Sequence, residues 1–260
     1  MTPILKAIIF DVDGTLAETE EEHRKAFNAA FRTFRLPWRW DVKAYRELLT
    51  IAGGRERLQA FFARINTAVD QSIVTDLHRE KSRLYAAQIE AGSLHARPGV
   101  LRLIAEARAA GISLACATPS QRSAVITLLR SLLGPQAETN FAVLGCGDDV
   151  LRKKPAPDVY LWVLEQLGFE AESCVVIEDT AVGLAAATIA GLSTVMTVST
   201  YSGIVQDEQQ LFAGAMAVIS DLGEPHRPFT LLAGPDDGRR VVDISLLQLW
   251  LSRYRSPGYR

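Results

Sequence analysis

Asp11 and Asp13 are separated by one valine and stand directly behind a short apolar run, residues 7–10. Such a run suits a strand buried on both faces, and the carboxyl edge of an open α/β sheet is where ligands bind. The same acids also fit a plain turn, because Gly14 follows Asp13. Three further positions share the setting. Thr118 ends a second apolar run and offers either a hydroxyl donor at a loop mouth or an N-cap for the following helix. Lys154 precedes Pro155-Ala156-Pro157, whose stiff backbone suits a cation held at a fixed point; the alternative is a solvated surface lysine. Glu178 and Asp179 follow the run 174–177, as further acids at a strand end or as a simple exit to solvent. Gathered at one sheet edge, these groups would offer carboxylates to a hard cation and a hydroxyl and an ammonium to an anion.

The elements that would position them are legible as a rhythm. Apolar runs without alternation recur at 7–10, 114–117, 141–144, 174–177, 194–198 and 217–219. Between them lie helix-length stretches at 100–110, 120–133, 156–167 and 181–190, several followed by Gly111, Gly168 or Gly191. Strand and helix in alternation predict an α/β fold, a doubly wound, Rossmann-like parallel sheet. The interval between the first two runs is about 100 residues, where a crossover needs only a dozen or more. Phe27, Ala30, Phe31 and Phe34 fall at helical spacing there, as do Leu58, Phe61, Phe62 and Ile65. The expected organisation is therefore a core of residues 1–16 and 97–225, an inserted α-helical cap at 17–96, and a C-terminal extension at 226–260. The extension is read as a Pro- and Gly-rich loop followed by a helix over 241–251 that packs on the core.

Composition narrows the function classes. The 260 residues carry 28 Lys and Arg against 30 Asp and Glu, a net charge of −2, which gives no electrostatic case for nucleic acid or membrane surfaces. With 48% apolar and 22% charged residues the chain is an ordinary folded protein. No run reaches the ~18 apolar residues of a membrane span, and the first residues show no exported leader. Cys116, Cys146 and Cys174 are odd in number and sit in or beside apolar runs, so they are expected as reduced, buried thiols in a cytoplasmic protein. A monomer is expected.

The order of the motifs, Asp-x-Asp, a hydroxyl, a lysine and an acidic pair, resembles the haloacid dehalogenase superfamily, in its phosphatase branch with a helical cap after the first motif. The resemblance extends to about Leu222. Within that branch, Asp11-Val12-Asp13-Gly14-Thr15-Leu16-Ala17-Glu18-Thr19-Glu20, Tyr45-Arg46-Glu47-Leu48-Leu49, Gly53-Gly54 and Lys153-Lys154-Pro155-Ala156-Pro157-Asp158 are similar to the CbbY-type xylulose-1,5-bisphosphate phosphatases. The resemblance implies Asp11 as a nucleophile forming an aspartyl-phosphate and Asp13 as the acid and base. It implies Mg²⁺ on Asp11, the backbone carbonyl of Asp13 and Asp179, with Glu178 as a direct or water-mediated ligand and with Thr118 and Lys154 on the phosphoryl oxygens. A carboxylate attacks an anionic ester only where cations offset the repulsion, so the implied chemistry is coherent. The substrate implied is a small phosphorylated metabolite, a sugar phosphate or bisphosphate. A phosphomutase and a non-catalytic binding module are the alternatives.

Residues 24–64 hold ten basic residues against three acidic ones, which suits a dianionic or bisphosphate substrate. Arg46 and Arg55 flank Gly53-Gly54 and are the expected holders of a second phosphate, with Gly54 in the loop that reaches the site. Glu20, His23 and Tyr45 match positions that meet sugar hydroxyls in the resembled family; His23 is equally compatible with a core or capping role. One departure stands out. Pro119 follows Thr118 and has no N–H to offer a phosphoryl oxygen, so Ser120 is expected to replace that donor.

Overall fold

A computed structural model of the chain describes residues 4–67, 69–92, 94–202 and 212–256. The outermost residues of the expected core and tail, 1–3 and 257–260, lie outside the described residues. The sheet is built from β1 (Ala7–Phe10), β2 (Ser113–Ala117), β3 (Val143–Gly145), β4 (Cys174–Glu178), β5 (Ser193–Thr197), β6 (Ala217–Ile219) and β7 (Leu231–Ala233). Their order is β3-β2-β1-β4-β5-β6-β7, parallel throughout except for the last pair. The chain therefore winds outward from β1 through β2 and β3, then returns to the other side of β1 for β4, β5 and β6. That reversal makes the carboxyl edge of β1 and β4 the switch point at which such sheets open a crevice.

Both faces are covered, which explains why the strands read as unbroken apolar runs. Ile8 and Phe10 of β1 point to one layer, with α5 (Val100–Ala109), α6 (Arg122–Leu133) and α9 (Ile244–Tyr254); Ala7 and Ile9 point to the other, with α7 (Asp158–Leu167) and α8 (Ala181–Ile189). The predicted terminal helix is α9, capped by the Asp243 carboxylate on the Leu246 N–H at 2.8 Å, and it buries Leu246, Leu247, Trp250 and Leu251. The tail holds more than the predicted loop. Its β7, lying within the Pro- and Gly-rich stretch, pairs antiparallel with β6 and extends the sheet. The three cysteines are buried and free.

Between β1 and α5 the chain forms α1 (Glu20–Thr33), α2 (Val42–Leu48), α3 (Gly54–Arg64) and α4 (Gln71–Glu90). These helices share their own apolar cluster, with Phe27, Phe31, Trp40, Tyr45, Leu58 and Phe62 at its centre. The two connections to the sheet run side by side: Ala17 and Ala96 form an antiparallel bridge, and the Arg97 N–H donates to the Leu16 carbonyl at 2.9 Å. Arg97 is buried and anchors this junction, donating to the Gly14 carbonyl, the Thr197 hydroxyl and the Val198 and Ser220 carbonyls. No helix among the described residues is long and apolar enough to cross a membrane.

Candidate active site

The parallel register puts four strand ends at one edge. Asp11 follows β1, Thr118 follows β2, Lys154 lies in the loop after β3, and Glu178 and Asp179 close β4. The predicted carboxylates and lysine meet there. Lys154 Nζ donates to Asp11 Oδ1 and to Glu178 Oε1, each at 2.7 Å, and lies 4.8 Å from the centroid of the Tyr160 ring. All three charged groups are buried, as is Asp179. Burial, reinforced by the neighbouring Glu178 and Asp13, raises the Asp11 carboxyl well above its usual range against the pull of Lys154. Burial and the adjacent Glu178 and Asp11 do the same to Asp179. The Lys154 ammonium is disfavoured by burial, yet the facing carboxylates more than offset that and raise it. One cation is thus shared among more acid than it neutralises.

The acid cluster fits a hard divalent ion. Asp11, Glu178 and Asp179 each offer an oxygen within 4.8 Å of the others. Asp179 Oδ1 is fully buried and has no hydrogen-bond partner among the described residues, so a cation there would relieve the cost of leaving it unsatisfied. Glu178 is differently placed: its Oε2 already accepts from the Asp179 and Thr180 N–H groups, each at 2.7 Å, and from the Thr180 hydroxyl at 3.1 Å. Two glycines give this cluster its room. Gly14 has φ +81°, and a Cβ there would lie 2.2 Å from Asp179 Oδ2; a Cβ on Gly183 would lie 1.5 Å from Glu178 Oε1.

Asp13 stands apart from that cluster by its side chain. Its Oδ1 accepts from the Thr19 hydroxyl at 2.7 Å and pairs with His23 Nε2 at 2.9 Å, while Ser120 Oγ donates to Oδ2. Burial raises this carboxyl, but His23 and the three hydrogen bonds prevail and hold it below the usual carboxylate range. Any share Asp13 has in holding a cation falls to its backbone carbonyl. Thr118 is fully buried, and its Oγ1 accepts from the Ser120 N–H at 3.1 Å, leaving its own O–H to donate. Both donors of Ser120 are therefore engaged, the hydroxyl with Asp13 and the amide with Thr118.

A cavity of about 320 Å³ opens over these groups, lined by Asp11, Asp13 and Asp179 from the sheet edge and by Glu20, His23 and Arg55 from the inserted helices. Gly54 lies in its wall too, packed so closely that a Cβ would come within 2.7 Å of His78 Nε2. Three expected residues are not brought to the wall, and one of them is Thr118, fully buried just beneath the lining residues Pro119 and Ser120. Tyr45 is fully buried behind the wall, donating to Glu20 Oε2 at 2.7 Å and accepting from Arg57 Nη1 at 2.9 Å. Arg46 is exposed on α2, with its guanidinium taken by the Thr200 carbonyl at 3.2 Å and by the Tyr201 ring. Three residues not singled out in the sequence do line the cavity: Arg57, His78 and Lys81. Arg57 is buried, and its hydrogen-bond partners are Tyr45 and the Leu48 and Ile51 carbonyls, none of them anionic. Lys81 Nζ lies 2.7 Å from His23 Nδ1, and burial lowers its ammonium to about 8. Burial, with Lys81 and Arg55 nearby, lowers His78 to about 3. The signal for His78 and Lys81 was present: both fall on the buried stripe of α4 formed by Val74, Leu77, Tyr85 and Ile89.

A family model of haloacid dehalogenase-like hydrolases matches residues 5–191. The chain is 42% identical over 251 residues to the plasmid-encoded protein CbbY of Cupriavidus necator, covering 95% of this chain and 96% of that protein. Two crystal structures of CbbY from Rhodobacter sphaeroides are 41% identical to it, each over 86% of this chain and 98% of that one. One is a complex with phosphate, at a TM-score of 0.78, and the other a mutant in complex with xylulose-(1,5)bisphosphate, at 0.77. The chain therefore belongs to the haloacid dehalogenase-like hydrolase family, as a phosphatase similar to the CbbY proteins.

Proposed function

We propose that this phosphatase hydrolyses a sugar bisphosphate, with xylulose-1,5-bisphosphate as the leading substrate, through an aspartyl-phosphate on Asp11 and with Mg²⁺ held by Asp11, Asp179 and the Asp13 carbonyl. The observation that carries the reading is Asp179 Oδ1, unpartnered among the described residues, beside Asp11 in a cavity that the inserted helices line with Arg55, Arg57 and Lys81 as well as Glu20 and Glu56. Glu178, whose Oε2 already accepts from two backbone N–H groups and the Thr180 hydroxyl and whose Oε1 accepts from Lys154, suits contact with the ion through water. Bound there, Mg²⁺ supplies positive charge against the phosphoryl oxygens.

Asp11 attacks phosphorus through a carboxylate oxygen, and Lys154, already on Asp11, offsets the charge that builds on the transferring group. The Thr118 O–H supplies a neutral donor; Pro119 supplies none. In the first half-reaction Asp13 delivers a proton to the leaving alkoxide, which requires it to take that proton up from solvent first and to exchange a donor such as Ser120 for the leaving oxygen. In the second, Asp13 takes a proton from the attacking water, and its present surroundings favour the carboxylate form that this step needs. Arg55 at the mouth and Arg57 behind it are placed for the phosphate that is not cleaved, Arg57 being a buried cation without an anionic partner among the described residues.

The test is the initial rate of phosphate release across sugar mono- and bisphosphates, with Mg²⁺ and with EDTA. Magnesium-dependent release that is fastest on a pentulose bisphosphate supports the proposal. Isomerised sugar without free phosphate would make the chain a mutase, and metal-independent release would remove the metal from the site.

A further inference from the structure

We propose that Tyr201 is a positioning residue of this phosphatase: carried by the loop after β5, its ring seats in the aromatic cluster of the inserted helices and fixes Tyr45, and through it Glu20 and Arg57, over the catalytic edge. The proposal rests on the phosphatase reading for its kinetic consequence and on geometry alone for its structural one.

Tyr201 follows β5 and so belongs to the sheet side of the cavity, yet it is only 7% exposed and packs with Phe27, Trp40 and Tyr45 of the insertion. Its ring meets Tyr45 edge-on, with centroids 5.8 Å apart and planes at 86°. Its hydroxyl donates to Glu21 on α1. Glu21 is itself held by Arg24, whose Nη1 donates to the Trp40 carbonyl at 2.8 Å, so the bond reaches into the middle of the cluster. The preceding residue reinforces the attachment. Thr200 N–H donates to Glu18 Oε2 at 3.0 Å, the Thr200 carbonyl accepts from Arg46, and the Arg46 guanidinium lies 5.7 Å from the Tyr201 centroid.

The physical consequence follows from where the attachments lie. Besides the paired chain connections at Ala17 and Ala96, the insertion meets the sheet side through α1, where His23 pairs with Asp13 at 2.9 Å, and through α4, which packs on α6 with Ser82 Oγ donating to Gln121 Oε1 at 3.2 Å. The Thr200–Tyr201 contacts add an attachment at α2 and so restrain Tyr45 directly. Tyr45 is the element that matters for substrate, because its hydroxyl lies between Glu20 and Arg57, both in the cavity wall. Arg46 thereby acquires a role other than phosphate binding: it secures the strap from the insertion side.

The experiment pairs hydrogen–deuterium exchange of the free protein with steady-state kinetics in Mg²⁺, comparing wild type, Tyr201→Ala and Tyr201→Phe. In Tyr201→Ala, exchange over α2 speeds by about tenfold or more while β4 is unchanged, which also shows that the sheet is folded. KM for the sugar bisphosphate rises about tenfold or more, against a rise of less than about threefold for p-nitrophenyl phosphate, which makes no use of Glu20 or Arg57. Tyr201→Phe retains the ring against Tyr45 and under Arg46, and recovers most of both effects. Unchanged α2 exchange in Tyr201→Ala overturns the proposal, and so does an equal change of KM on both phosphates. If wild type releases no phosphate from any sugar phosphate, the functional reading fails while the exchange comparison still decides the role of Tyr201.

Discussion

Replacing Lys154 with methionine removes the one ammonium that Asp11 and Glu178 share, while keeping most of the stem that lies over Tyr160. Removing one partner of a buried ion pair costs about 3–5 kcal/mol, and with two carboxylates stranded the upper part of that range applies. For a protein of this size each kcal/mol lowers Tm by ~2–4 °C, so the metal-free variant is expected to melt about 8–20 °C below wild type. The pH dependence gives the sharper test. The raised Asp11 and Asp179 carboxyls bind protons in the folded protein at a pH where the unfolded chain has released them. Their favourable contribution is complete below the unfolded value of about 4 and is lost as pH rises through the folded values. Lys154 is what pulls Asp11 down, so its removal raises Asp11 further. In EDTA the gap between variant and wild type must then widen from pH 5 to pH 8.

Thermal melts at those two pH values, with EDTA and with excess Mg²⁺, measure this directly. Added Mg²⁺ narrows the gap at pH 8, since an ion at about 100 times its Kd stabilises by about 2.7 kcal/mol and the variant has more uncompensated charge to offer it. Turnover falls by about 10²–10³-fold even with Mg²⁺ present, because the charge beside Asp11 is lost in the transition state. A gap that is the same at pH 5 and pH 8, or a variant as stable as wild type in EDTA at pH 8, would refute the claim that the site holds more acid than Lys154 neutralises.

Asp11→Asn is expected to abolish phosphate release while leaving the melting transition cooperative; retention of more than about 1% of the rate would exclude Asp11 as nucleophile. Arg55→Ala, at the cavity mouth, raises KM for a bisphosphate about tenfold more than for the matching monophosphate, as befits a charge-assisted contact; parallel changes on both substrates would remove it from the second-phosphate site. Ser120→Ala removes one donor from the Asp13 carboxylate, so the acid limb of the pH–rate profile moves to higher pH by about one unit. A loss of rate that is uniform across pH would instead make Ser120 a direct donor to the phosphoryl group, the role its position behind Pro119 suggests in the sequence.

The sheet half of the site was legible because it is written at strand ends. Asp11, Thr118, Glu178 and Asp179 each follow a run of buried residues, and parallel pairing brings all such ends to one edge whatever the details of packing. Lys154 arrives there from a loop, announced by its prolines. The strand β7 was not legible: it is three half-buried or exposed residues in a Pro- and Gly-rich stretch, and its partner β6 lies a dozen residues away, so nothing local marks it.

The insertion half was less legible for a different reason: its functional residues are selected by helix phase and by packing of α1 on α4, which composition does not encode. The basic excess in residues 24–64 is real, but Arg46, Arg55 and Arg57 contribute to it equally in sequence and not in space. Leu58 and Phe62 set the inward face of α3 and carry Arg57 in with them, leaving Arg55 at the mouth. Arg46 flanks the same glycines yet faces the Thr200–Tyr201 strap. The most informative signal was a breach of pattern: His78 and Lys81 on the apolar stripe of α4, where an ordinary helix would carry leucine or alanine. Burial lowers the Lys81 ammonium to about 8 and holds His78 neutral, and under the proposed function an anionic substrate would offset the cost of burying Lys81. The groups of the proposed reaction thus stand at the sheet edge, where strand ends announce them, and the groups proposed to meet the substrate stand in the inserted helices, where a break in the packing pattern does.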